Sequence, residues 1–201
     1  MNAPYSRTQK PRWQRPERLA GADLASVRRW LLDDGSLTAR LIATGQRFSL
    51  RRLSQQWEQP RRDERRLLQM GARERALVRK VALCLDDQPV VYARTIFPVS
   101  SLDGPLLRLR QLQNESLGAF LFARPDMRRS PFEIARLDGH SSYLPGMLQQ
   151  EQRVWARRSC FEVAGRRMIV SEVFLPAFTP WQADAAVHRS RRGKVSVTIG
   201  A

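Results

Sequence analysis

The sequence predicts an α+β domain built on an antiparallel sheet, and three observations carry that prediction. Strand-like runs come in pairs joined by turn residues: Ala76–Phe97 around Asp86-Asp87-Gln88-Pro89, and Arg158–Leu175 around Ala164-Gly165. Helical patterns cluster before and between these hairpins instead of alternating with single strands, which disfavours a doubly wound parallel sheet. The 201 residues are 42% hydrophobic and 27% charged, a balance that suits one folded core closed without disulfide staples.

Taken in order, residues 1–22 are polar, with Pro4, Pro11 and Pro16 and five cations from Arg7 to Arg18; a flexible basic arm is expected. Asp23 is placed to cap a helix running to Leu32, with Leu24, Val27, Trp30 and Leu31 on one side. Asp33-Asp34-Gly35 breaks it. Ser36 caps a second short helix carrying Leu37, Leu41 and Ile42, and Gly45 stops it. Phe48 and Leu50 suggest a short strand, after which the chain reads as a charged loop through Arg66. Then comes the Ala76–Phe97 hairpin, ended by Pro98. Leu106, Leu109 and Leu112 suggest a helix after Gly104-Pro105, and Leu117–Phe122 another. Phe132–Leu137 is strand-like, and residues 138–153, with Gly139, Pro145 and Gly146, read as a long loop. The second hairpin is ended by Pro176. The domain is thus expected over 23–176, with 177–201 as a basic extension whose alternating Val195–Ile199 run is its one strand-like feature.

Composition excludes several classes. No apolar run is longer than Val81–Leu85, far short of the ~20 residues that span a bilayer. No apolar N-terminal stretch suggests a secretory signal, so a cytoplasmic protein without stable membrane insertion is expected. Cys84, Cys160, His140 and His188 stand too far apart for any zinc spacing. The net charge of +16 comes almost wholly from arginine, since only Lys10, Lys80 and Lys194 are lysine. These cations are spread along the chain with no helix-turn-helix, zinc-finger or RNP-like pattern, so they read as a solvated surface and no specific nucleic-acid partner is expected.

Strand parity singles out three charges. Residues i and i+2 of a strand share a face. Arg79 therefore lies among Leu77, Val81, Leu83 and Leu85, Arg94 among Val90, Tyr92 and Ile96, and Glu172 among Met168, Val170 and Phe174. An unpaired buried ion costs several kcal/mol, so each of these must find a partner. Three arrangements satisfy that: Arg79 or Arg94 bridges to Glu172, one face is solvated, or two guanidiniums and a carboxylate converge on a ligand cavity. Two forked cations would suit a dianion, and a carboxylate beside them a hydroxyl or a proton in transit. The chain has no P-loop, G-x-G-x-x-G, G-x-S-x-G or H-E-x-x-H. Any chemistry at such a cavity is expected to need neither cofactor nor metal.

Five segments in order resemble the chorismate lyase family: Trp30–Thr38, the hairpin from Val78 to Thr95, Phe97–Pro105, Ser116–Phe122, and Ser171-Glu172-Val173-Phe174-Leu175-Pro176. The resemblance covers about residues 24–176. It implies an antiparallel sheet with helices covering an internal ligand cavity, and conversion of chorismate to 4-hydroxybenzoate and pyruvate without a cofactor, in ubiquinone biosynthesis. By position it makes Arg79 the anchor for the ring carboxylate and Glu172 the group that meets the 4-hydroxyl. Leu37 and Leu117 become cavity-lining residues on two helical flaps, and Arg94 a second arginine near the ligand, for the enolpyruvyl carboxylate. Leu37 departs from a frequent Met at its position, a volume-conserving change. Residues 138–153 and 177–201 exceed the short members. A monomer is expected. A non-catalytic domain binding small carboxylated rings is the alternative.

Overall fold

The computed structural model describes residues 10–18, 23–113 and 115–182. Its centre is a seven-stranded sheet: β1 (Phe48–Glu58), β2 (Ala76–Leu85), β3 (Gln88–Pro98), β4 (Arg128–Arg129), β5 (Glu133–Leu137), β6 (Val154–Val163) and β7 (Arg166–Phe174). The order is β1-β2-β3-β7-β6-β4, with β5 also pairing with β6, and every pairing is antiparallel. Both expected hairpins are present. Each turns on two consecutive residues at positive φ, Asp86 (47°) with Asp87 (66°) and Ala164 (50°) with Gly165 (72°), the handedness that matches strand twist.

The helices are α1 (Asp23–Leu31), α2 (Leu37–Ile42), α3 (Arg62–Leu68) and α4 (Leu117–Phe122). Ser36 and Ser116 cap α2 and α4, accepting from the Ala39 and Ala119 amides at 3.3 and 3.4 Å. The Gly104–Gln111 segment forms as a 3-10 helix. Two elements differ from expectation. β1 runs for eleven residues because an edge strand, half washed by solvent, needs no apolar alternation. The stretch read as a charged loop holds α3. Only Leu67 and Leu68 are apolar there, so no periodicity shows, but the charges are ordered for a helix. Asp63 and Glu64 occupy the first turn and Arg65 and Arg66 the last, and Glu64 accepts from the Arg61 amide at 2.8 Å.

The sheet is covered on both faces. On one, α1 and α2 pack Trp30, Leu31, Leu37 and Leu41 onto Val81, Leu83, Val91 and Phe174. The 104–122 segment packs Leu106, Leu109, Leu117 and Phe120 onto Leu77, Phe97, Phe161 and Met168 of the same face. On the opposite face α3 sets Leu68 against Val78, Ile96 and Ile169. The 138–153 loop brings Tyr143, Leu144 and Leu148 onto Tyr92, Ala156 and Val173.

Both expected boundaries move outward. Within the segment expected to be a flexible arm, Gln14 bridges to Ile134 and the Trp13 ring stands 5.9 Å from that of Tyr143, under the Arg158 guanidinium. The domain also continues past 176. Phe178 is 1% exposed and meets Trp30 and Phe174 edge-on at 5.1 and 5.0 Å, as an aromatic following Pro176 can when the chain turns back over the sheet. The Val195–Ile199 run lies outside the described residues.

Candidate active site

Between the two apolar clusters of the first face the sheet carries charge, and there a cavity opens with about 550 Å³ of empty space, counting its mouth. Leu37 and Leu117 enter it from the first turns of α2 and α4. Arg79 of β2, Glu172 of β7, Arg157 of β6 and Arg129 of β4 enter from the sheet, and Val81, Ala93 and Val170 form an apolar floor with Thr95 among them. Thus Arg79, Glu172, Leu37 and Leu117 line one cavity.

Arg94 does not, and this corrects the expected catalytic set. A ladder continued from Leu85 opposite Gln88 would put Arg94 opposite Arg79. Instead Cys84 pairs with Pro89 and Leu83 with Val91, so Val90 is an extra residue. That bulge reverses the faces beyond it, and Arg79 pairs with Thr95 while Arg94 pairs with Lys80. Arg94 therefore lies on the opposite face, forked onto the fully buried Glu64 at 2.9 and 3.1 Å. Burial alone would lower its pKa; the bonds to Glu64 and the charge of Glu64 outweigh that and hold it above the usual arginine value.

The bridge expected from parity exists with a different partner. Glu172 accepts from Arg157 Nε at 2.5 Å. Arg157, 1% exposed, also donates Nη1 to the carbonyls of Trp30 (2.7 Å) and Asp33 (3.0 Å). It ties the carboxylate to the root of α2. Arg157 and Arg129 were both missed by sequence reading. Arg157 stands just before the expected start of its strand, and Arg129 lies on a two-residue strand with no pattern of its own.

Arg79, 2% exposed, donates Nη2 to the Gln113 and Glu115 carbonyls at 3.1 and 2.8 Å, at the root of α4, and its Nε is buried without a partner. Desolvation, with the charge of Arg52, pushes its pKa down to about 10. Arg129 donates Nε to Ser159 Oγ (2.9 Å) and Nη1 to the Asp34 carbonyl (3.0 Å), and lies 4.0 Å over Phe132. Desolvation, then the charge of Arg157, pushes it down to about 9. Among the described residues neither Arg79 nor Arg129 has a carboxylate within ion-pair distance. The cavity thus holds three guanidiniums against one carboxylate.

The two flaps touch at their caps. Ser116 Oγ donates to Thr38 Oγ1 at 3.1 Å, and a Cβ added to Gly118 would stand 3.1 Å from Ser36 Oγ, so glycine permits the approach. Leu37 and Leu117 are buried at 6% and 7% exposure. Among the described residues no three His, Cys, Asp or Glu side chains gather to hold a metal ion, and no helix is long and apolar enough to cross a membrane.

The site is thus a cation-rich cavity enclosed between an antiparallel sheet and two short helices. The fold recurs in the effector domain of PhnF from Mycobacterium smegmatis, with a TM-score of 0.53, 14% identity, and coverage of 72% of this chain and 91% of that one. It also recurs in the ligand-binding domain of a GntR-family regulator from Bordetella bronchiseptica, with a TM-score of 0.50, 15% identity, and 65% and 86% coverage. At such identities only the fold is shared. The particular family comes from sequence. The model of the family described as chorismate lyase matches residues 7–183. A protein of Azoarcus sp. (strain BH72) named "Probable chorismate pyruvate-lyase" is 42% identical over 171 residues, 81% of this chain and 89% of that protein. One of the same name from Halorhodospira halophila is 39% identical over 160 residues, 78% and 84% of the two chains. The chain belongs to the chorismate lyase family and is an enzyme of that family.

Proposed function

We propose that this protein converts chorismate to 4-hydroxybenzoate and pyruvate. Besides family membership, one observation supports the reading most: Arg79 is buried, has no carboxylate within ion-pair distance among the described residues, and shares one cavity with Glu172. A buried guanidinium in that state is stabilised by an incoming carboxylate. Arg79 holds the ring carboxylate of the substrate. Glu172, kept in place by Arg157, accepts from the 4-hydroxyl and so orients C4. The C3–O ether bond breaks, the C4 hydrogen leaves, and the ring becomes aromatic. The departing enolpyruvate takes up one hydrogen at its methylene carbon and becomes pyruvate. Aromatisation drives the step, so the protein's work is positioning and stabilising charge. No redox change occurs, and the reaction runs without a cofactor. Leu37 and Leu117 close over the ring and exclude water. The resemblance further suggests the first committed step of ubiquinone biosynthesis, carried out by a cytoplasmic monomer.

The test is to incubate the protein with chorismate in the presence of EDTA and follow both products. Equal amounts of 4-hydroxybenzoate and pyruvate are expected. Binding of 4-hydroxybenzoate without turnover of chorismate would leave a carboxylated-ring binder and defeat the lyase reading.

A further inference from the structure

Chorismate is a dianion, and with Arg94 on the opposite face its enolpyruvyl carboxylate needs another cation. Arg157 is not free for it. Its charge is matched by Glu172, and its Nη1 is taken up by backbone carbonyls. Arg129 remains. It lines the cavity, has no carboxylate within ion-pair distance among the described residues, and rests on two aromatic faces, Phe132 at 4.0 Å and Phe161 at 4.8 Å. Those rings fix the plane of the guanidinium and shield it from water.

Its position relative to Arg79 follows from the strand register. Arg79, Thr95, Val170 and Ser159 are successive partners across β2, β3, β7 and β6. Arg129 Nε is bonded to the Ser159 hydroxyl at the far end of that row. Three inter-strand steps separate the row's ends, about 14 Å at the backbone. Both guanidiniums line the one cavity, from opposite ends of this row, with Thr95 and Val170 between them at the backbone. The Glu172–Arg157 pair occupies the neighbouring row, beside Ala93. A ring held by Arg79 at C1 and by Glu172 at the C4 hydroxyl carries its C3 substituent at the Glu172 end, and the cation without an ion-pair partner on that side of the cavity, toward β6 and β4, is Arg129.

We propose that Arg129 is the anchor for the second carboxylate, the one present in the substrate and lost with pyruvate. This deepens the proposed reaction and rests on it. Arg79 then holds substrate and product alike, whereas Arg129 holds only the substrate and the leaving enolpyruvate. A guanidinium that grips the departing group stabilises charge as the ether bond opens and has no hold on the aromatic product.

The experiment uses the full chain and three variants: Arg129→Met, which keeps a side chain able to stack on the two rings, Arg129→Lys, and Arg79→Met. Kcat/KM for chorismate and the equilibrium Kd for 4-hydroxybenzoate are measured on each, with thermal unfolding as the control for folding. Arg129→Met should lower kcat/KM by about 10²–10³-fold, the scale of one or two charge-assisted hydrogen bonds, and leave the product Kd within about threefold. Arg129→Lys should recover part of the loss. Arg79→Met should damage both quantities. An unchanged kcat/KM in Arg129→Met, or equal losses in kcat/KM and product affinity, overturns the proposal. If the parent does not turn chorismate over, the lyase reading fails instead. Arg129 is then tested by titrating chorismate itself, whose affinity must fall in Arg129→Met while that of 4-hydroxybenzoate does not.

Discussion

The two faces of the sheet bury similar residues and use them differently. On the face under α3, Lys80, Arg94, Ser171 and Arg158 form one cross-strand row, and its cations are matched. Arg94 forks onto Glu64, Lys80 meets Glu58 at 2.6 Å, and Arg158 meets Glu133 and Asp63 at 2.7 and 2.5 Å. On the cavity face Arg157 has Glu172, but among the described residues no carboxylate comes within ion-pair distance of Arg79 or Arg129, whose close contacts are carbonyls, a hydroxyl and aromatic rings. Burial is equally deep for Arg79 (2% exposed) and Arg94 (6%). What separates the structural ion pair from the proposed ligand site is therefore unmatched charge, not depth. A matched pair is satisfied by the fold itself; an unmatched cation leaves room for a ligand's charge.

The largest expected effect breaks the cavity side of this comparison. Arg79→Ala should lower kcat/KM for chorismate by about 10²–10⁴-fold and weaken 4-hydroxybenzoate binding in step. The ligand-free protein should unfold no earlier than the parent, because the change removes a buried charge that lacks a carboxylate partner. A marked loss of stability with product affinity intact would place Arg79 among the structural cations. The opposite face should respond the other way. Glu64→Ala removes both forked bonds of Arg94, leaving it the longer 3.5 Å contact to Glu58, and should cost about 3 kcal/mol in denaturant unfolding, while the folded fraction binds product with unchanged affinity. The double change Glu64→Leu with Arg94→Leu should restore most of that stability. Lost product affinity at full stability in Glu64→Ala would merge the two faces into one site.

The smallest effect is in pH dependence. Arg129 and Arg79 sit at about 9 and about 10 in the free protein, both lowered by burial, and a bound carboxylate favours their charged forms. Substrate binding at high pH must then take up protons, so kcat/KM should be level near neutrality and fall as pH rises through about 9. In Arg129→Met the fall should move up toward about 10, where Arg79 titrates. An alkaline limb that stays in place would detach it from Arg129.

The fold class, both hairpins and the Ser36-capped helix were legible because each rests on local chemistry: turn residues, a capping serine, or period-two alternation. Alternation also singled out Arg79 and Glu172 as charges on apolar faces, but only the resemblance set Leu37 and Leu117 beside them. Arg94 was misplaced because parity within a strand says nothing about the register between strands, and the Val90 bulge has no side-chain signature in a run of valines. Arg157 and Arg129 escaped notice for another reason. In a chain with so many arginines the residue type carries little information, and only the absence of a partnering carboxylate marks Arg129. α3 was hidden because its stability comes from charge order and from packing Leu68 onto the sheet, not from an apolar stripe. The 177–182 segment was read as tail because Phe178 has its packing partners, Trp30 and Phe174, only in three dimensions.

The Val90 bulge also decides which charges the cavity meets. Cys84 pairs with Pro89 and Leu83 with Val91, so Val90 is passed over by the ladder. Were Val90 drawn into a regular ladder instead, every later residue of β3 would slip by one against β2. Arg94 and Thr95 would then trade faces: Glu64 would lose its cation and the cavity floor would gain one. Such a slip of one position, beginning near the surface tip of the β2–β3 hairpin, would be as damaging as replacing a residue of the site, although no cavity side chain would be altered. Deleting Val90 has no such effect, because the pairs beyond it stay as they are and Arg79 still meets Thr95.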